Sequence, residues 1–159
     1  MINVIGAGLS GLSLAISLAK KGIFVNLISN MPSERSQSVL AEGGINAAIG
    51  EDDSVNNHFN DTKIGGCNLE SDENIHNLVD NAPELIKMLE NLGVAFNHEN
   101  NKIALRYFGG QKIKRTAFAK ASTGKMIMTA LIDECRKYEV DGLIKRYPHH
   151  EVIDANIKD

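Results

Sequence analysis

The apolar residues of the first thirty positions change period twice. Ile2, Val4 and Ile5 make a short apolar run that stops at Gly6, and Leu9, Leu12, Leu14, Ala15, Leu18 and Ala19 then recur at helical spacing as far as Lys20, Lys21 and Gly22. A second apolar run follows over residues 23–28. The pattern predicts strand, turn, helix and strand. Further along, Ser71 with Asp72 and Glu73 behind it predicts a capped helix that buries Ile75, Leu78 and Val79. A separate helix is expected to begin at Pro83, with Leu85, Ile86 and Leu89 inward and Gly93 just past its end. Residues 98–102 read as a polar turn, and 103–108 as an extended piece closing at Gly109 and Gly110. Thr123 and Gly124 lead into a last amphipathic helix, with Met126, Ile127, Ala130, Leu131 and Cys135 inward and Asp133, Glu134, Arg136 and Lys137 outward. Gly142 follows it, and within residues 143–157 the stretch 151–153 reads as a strand.

The first turn carries the chemistry. Gly6, Gly8 and Gly11 have the spacing G-x-G-x-x-G between a strand and a helix, the arrangement that sets a dinucleotide pyrophosphate on a helix N-terminus. Gly6 allows the tight turn, Gly8 lets backbone approach phosphate, and Gly11 lets the helix pack on the strand. The turn residues Gly6, Ala7, Gly8, Leu9, Ser10 and Gly11 are therefore cofactor-binding candidates, against the alternative of a structural glycine turn. A simple NAD-binding unit places an acid near the end of its second strand to hold a ribose hydroxyl. Ser29 and Asn30 stand there instead, able to hydrogen-bond but without charge.

A chain of 159 residues suffices for one sizeable core. Its net charge of −3 gives no electrostatic footprint for nucleic acid. No apolar run approaches the twenty or so residues of a membrane span, so an intracellular, cytoplasmic protein without direct membrane insertion is expected. Cys67 and Cys135 are too few and too isolated for a disulfide framework or a metal site, and read as reduced thiols.

Residues 31–50 lack a sustained helical period and are rich in Ser, Gly and small residues. A loop pressed against a ligand and a surface loop with a helix starting near Val39 account for them equally well. In HFNDT, His58, Asp61 and Thr62 offer an acid and a base or half a metal site, but the lack of a nearby further ligand favours a structural helix end. Lys112, Lys114, Arg115, Lys120 and Lys125 form a basic cluster in an acidic protein: a solvated face by default, or an attractor for a dicarboxylate or the phosphates of a cofactor.

Four ordered blocks, RSQSVLAEGGINAAIG, HFNDTKIGG, NAPELIKMLENLGVAFN and RYFGGQKIKRTAFAKASTGK, resemble the flavoprotein subunit of fumarate reductase and succinate dehydrogenase, a family that includes L-aspartate oxidase. The resemblance implies an α/β fold: a Rossmann-type parallel sheet of an FAD-binding domain, incomplete, with a mainly helical excursion. It implies three stretches of residues 1–159: strand, helix, strand and flavin loop over 1–50, the helical segment over 54–138, and a return towards the sheet over 143–159. It further implies FAD contacts from Ser29 and Asn30 at the adenosine part, from Gln37, Ser38, Ala41, Glu42, Gly43 and Gly44 at the ribityl and flavin parts, and from backbone near Val152 at the adenine.

The matching position to Gln37 is, in many of these enzymes, a histidine covalently bonded to the flavin. An amide nitrogen has no comparable nucleophilicity, so the expected cofactor is non-covalent FAD. The resemblance also implies hydride transfer between FAD and a C4 dicarboxylate, electron transport through an iron–sulfur partner subunit, and a peripheral position at the inner face of a membrane. FGGQKIKRTAFA favours the reductase form over L-aspartate oxidase. The family's chain is longer, with a capping domain and its proton-delivering residues past the equivalent of Asp159; a fragment or a natural truncation is expected, no catalytic residue is assigned, and a non-catalytic nucleotide-binding or interaction module stays as an alternative.

Overall fold

In the computed structural model, which describes residues 1–109 and 111–156, the chain runs β1 (Ile2–Ile5), α1 (Leu9–Ala19), β2 (Val25–Ile28), β3 (Ile45–Asn46), α2 (Val55–Gly65), α3 (Asp72–Asn91), β4 (His98–Glu99), β5 (Lys102–Ile103), β6 (Leu105–Arg106), β7 (Thr116–Ala117), α4 (Thr123–Val140) and β8 (Ile144–Tyr147). Gly110 and Ile157, which the sequence pattern places at the ends of two segments, lie outside the described residues. The fold is α/β and divides into two compact units, Met1–Ala41 with Gly124–Asp159, and Glu42–Thr123.

The first unit is built on a parallel sheet of order β1-β2-β8. Ile2 pairs with Val25 and Ile5 with Ile28, while Val25 pairs with Ile144 and Ile28 with Tyr147. Val4, Val25, Leu27 and Ile144 are buried. On α1 the buried stripe is Leu12, Ala15, Ile16 and Ala19. Leu14, expected inward, is half exposed because it lies about 200° round the helix from Leu12. Gly22, at φ +73°, turns the chain out of the helix. From α4 this unit buries Ile127, Met128, Ala130, Leu131, Ile132 and Cys135. Its start is tight: Gly124 N–H donates to Ala41 O at 2.6 Å, and a Cβ at Gly124 would fall 2.3 Å from Ser38 O.

The returning strand is β8, not residues 151–153. Gly142, at φ +72°, releases α4 directly into an extended run that pairs with β2. Pro148 then follows Tyr147, and without an N–H it cannot continue the ladder.

In the second unit the strands are two residues long and antiparallel, in the order β3-β7-β6, with β4 and β5 as a separate hairpin. Asn100 and Asn101, at φ 51° and 62°, make the hairpin's two-residue turn, a conformation asparagine tolerates. Ser54 and Ser71 cap α2 and α3 through the N–H groups of Asn57 and Asn74. The two helices expected on either side of Pro83 are one 20-residue helix with the proline inside it. Its stripe Ile75, Val79, Ala82, Ile86 and Leu89 runs unbroken past the proline at three- and four-residue steps. Burial of that stripe outweighs the one hydrogen bond that Pro83 removes. Leu78 and Leu85, expected inward, lie off the stripe and are exposed. Gly93, at φ +95°, takes the left-handed position past the helix end.

Candidate functional site

Gly6, at φ +99°, reverses the chain after β1 while its N–H donates to Ile28 O at 2.8 Å. Gly11 packs directly on that turn, since a Cβ there would lie 1.7 Å from Gly6 O. At the start of α1 the N-cap, Gly8, has no side chain to cap with, and Ser38 Oγ accepts from Leu9 N–H at 3.2 Å instead. The N–H groups of Ser10 and Gly11 have no acceptor among the described residues, and the first turn carries no acidic side chain. Two free donors thus meet the positive end of the helix dipole. A Cβ at Gly8 would sit 3.0 Å from Ser38 Oγ, so a side chain there would crowd the hydroxyl that caps the helix. Donors without acceptors at a helix start fit a phosphate anion.

Ser29 is buried, and its hydroxyl donates to Met31 O at 2.6 Å; Asn30 beside it is exposed. The ends of β2 and β8 are tied by Ser29 N–H to Tyr147 O and His150 N–H to Ser29 O. A cleft of about 370 Å³ opens there, lined by Ala7, Leu27, Ser29, Glu34, Glu139 and Arg146 among others. Val152 lines a different, smaller cleft with Asn26, Ile28 and Tyr147. Residues 31–50 settle as neither alternative in full: Gln37 and Ser38 lie in a 3-10 turn over Gln37–Leu40, with Gln37 and Ala41 exposed and Ser38 half-buried.

In the second unit Glu42, Gly43 and Gly44 lead into β3. Gly44 has φ +112°, and a Cβ on it would lie 2.5 Å from Thr116 Cγ2; one on Gly43 would lie 2.7 Å from the Phe108 ring. Arg106 Nη2 donates to Gly43 O at 2.6 Å and Glu42 O at 3.2 Å.

Arg115 is where sequence reasoning failed. Rather than a solvated or ligand-attracting cation, it is fully buried and bidentate to the buried side chain of Asp53, at 2.9 and 3.0 Å. Its Nη1 lies 3.0 Å from Asp61 Oδ2, an ion contact whose angle falls short of a hydrogen bond. Two carboxylates outweigh the guanidinium, so this site does not draw an anion. Lys112, Lys114, Lys120 and Lys125 are exposed, as a solvated face requires. His58, within α2 and not at its end, is buried with no partner for Nδ1 among the described residues, and lines a cavity of about 560 Å³ with Asp61, Asn77, Gln111 and Arg115. Desolvation, then the Arg115 charge, holds its pKa below the ordinary histidine value. No group of three or more His, Cys, Asp or Glu side chains arranged to hold a metal occurs among the described residues.

A parallel sheet whose first strand feeds a glycine turn and an anion-accepting helix start defines a dinucleotide-binding domain. The chain matches the FAD binding domain family over residues 2–159, and it belongs to that family, with FAD as its cofactor. It is 41% identical over 162 residues to the succinate dehydrogenase flavoprotein subunit of Bacillus subtilis, covering 99% of this chain and 28% of that protein. It is 33% identical over 153 residues to the chloroplastic L-aspartate oxidase of Arabidopsis thaliana, covering 96% of this chain and 23% of that one. Among solved structures, a mutated E. coli quinol fumarate reductase superposes with a TM-score of 0.92 at 32% identity, over 99% of this chain and 27% of that one. The chain therefore spans about a quarter of the length of the proteins it matches. Among the described residues no helix is long and apolar enough to cross a membrane.

Proposed function

We propose that residues 1–159 are one part of the FAD-binding domain of a fumarate reductase or succinate dehydrogenase flavoprotein. The observation that carries the reading is the start of α1, where the N–H groups of Ser10 and Gly11 have no acceptor among the described residues. The residues at Gly6, Ala7, Gly8, Leu9, Ser10 and Gly11 would receive the pyrophosphate. Ser29 and Asn30 would serve the adenosine end with backbone near Val152, and Gln37, Ser38, Ala41, Glu42, Gly43 and Gly44 the ribityl and flavin end. Because the Ser29 hydroxyl already donates to Met31 O, it is left to act on a ribose as an acceptor.

When bound, FAD supplies the hydride chemistry, here with the carbon–carbon bond of a C4 dicarboxylate; the protein supplies position and electrostatics. Gln37 leaves the flavin non-covalent. An iron–sulfur subunit would exchange electrons with it, at the inner face of a membrane reached through partner subunits. The L-aspartate oxidase reading shares the flavin blocks, and FGGQKIKRTAFA weighs against it. Visible flavin absorbance and FAD titration of the purified chain test the cofactor site, and a chain that binds no flavin overturns the proposal. In the protein that carries this sequence, fumarate reduction by a reduced dye against L-aspartate oxidation separates the two substrates.

A further inference from the structure

We infer that Arg106 is a positioning residue that holds residues 42–44 by their carbonyl side and so presents the amide N–H groups of Gly43 and Gly44 to an acceptor on the ring of the bound flavin. The inference rests on the proposed FAD site and adds to it a residue that the glycine motifs do not indicate. Arg106 Nη2 donates to two consecutive carbonyls, Glu42 O and Gly43 O. A planar trans peptide points its N–H opposite to its C=O, so the N–H groups of Gly43 and Gly44, which belong to those same two peptides, face away from the guanidinium. Neither has an acceptor among the described residues. Gly43 is half-buried and Gly44 exposed, so both can be reached.

The segment is braced on its other sides as well. The Phe108 ring fills the space a side chain at Gly43 would take, and Thr116 and Ala117 fill that at Gly44. Arg106 itself lies over the Phe118 ring, 4.5 Å from its centroid, and its buried Nε has no hydrogen-bond partner among the described residues. No carboxylate among the described residues pairs with it, in contrast to Arg115 with Asp53 and Asp61. Its charge is spent on two peptide groups, which it polarises so that their N–H ends become better donors. Donors fixed in advance and backed by a cation that no carboxylate among the described residues neutralises favour an electron-rich acceptor, the form of group the pyrimidine edge of a flavin offers.

The test compares the wild-type chain, R106Q and R106K by FAD titration and by the midpoint potential of the bound flavin. R106Q is expected to weaken FAD binding by about tenfold, the effect of losing a charge-assisted hydrogen bond, and to lower the potential. R106K, which keeps the charge, is expected to recover most of the potential, a rescue that a purely structural role would not produce. A second measurement needs no variant: adding FAD to wild-type chain should slow hydrogen exchange at the Gly43 and Gly44 amides and leave Gly93 and Gly142 unchanged. Equal potentials in wild type and R106Q overturn the inference. If R106Q fails to fold, unchanged exchange at Gly43 and Gly44 does so. A wild-type chain that binds no FAD removes the proposed function itself, and this inference with it.

Discussion

Gly11 lies so close over Gly6 that a Cβ on Gly11 would come within 1.7 Å of the Gly6 carbonyl oxygen. The third glycine of the motif is thus required by the fold whether or not a nucleotide is present. At Gly8 the same added atom meets only the Ser38 hydroxyl, at 3.0 Å, and that side chain can turn aside. Gly11→Ala is expected to destabilise the chain by about 3 kcal/mol or more, as a clash against backbone does. Gly8→Val should keep most of the stability and lose FAD binding. Thermal melts and FAD titrations on both variants separate the two roles, and equal melting losses would show that the distinction is false.

Arg115 and Asp53 bury their charged ends completely, and removing one leaves the other without a counter-charge. Arg115→Met is expected to cost about 3–5 kcal/mol. Adding Asp53→Asn to it should recover part of that loss, because the stranded carboxylate is gone. Urea melts of the two single variants and the double close the cycle; a double variant no better than the sum of the singles would refute the coupling.

His58 sets a pH dependence whose direction follows from its burial. Its folded pKa lies below the ordinary value of about 6.5, so the folded state binds fewer protons than the unfolded one in that range. Stability is therefore full above about pH 6.5 and declines as pH falls from there towards the folded pKa. Arg115, Asp53 and Asp61 face the ring; the guanidinium adds to the effect and the carboxylates oppose it. His58→Gln should flatten the part of the stability profile just below about pH 6.5, measured by urea melts at fixed salt. An unchanged slope would assign it to other groups.

Gln37 predicts how the flavin leaves. Acid precipitation of flavin-loaded chain should release all the yellow colour into the supernatant, since the exposed amide at this position cannot form a histidyl-type bond. Colour retained by the pellet would disprove the non-covalent reading.

The elements with strong local signals were legible. Short apolar runs, an apolar helical spacing and the glycine motif mark β1, α1 and β2, and Ser71 marks the start of α3. What escaped was long-range. Arg115 meets Asp53 across 62 residues of sequence, and nothing local to KIKRTAFA distinguishes its buried arginine from the exposed lysines around it. Pro83 was misleading for the opposite reason, because a local breaker was overruled by a stripe that only packing completes. Residues 151–153 look like a strand by composition, yet Gly142 and Pro148 bracket the run that pairs. Arg106 gave no signal at all, since its partners are backbone carbonyls that every residue carries.

Ala41 O and Gly124 N–H meet at 2.6 Å, so the chain departs from the sheet unit and returns to it at one spot. For that unit's polypeptide, everything from Glu42 to Thr123 is topologically a loop with closed ends. A gene in which a short linker joins Ala41 to Gly124 would ask nothing new of the β1-β2-β8 ladder. The glycine at position 124 is the hinge pin of that closure: a side chain there would strike both Ser38 O and Ala41 O, prising apart the two ends through which any such insertion must pass.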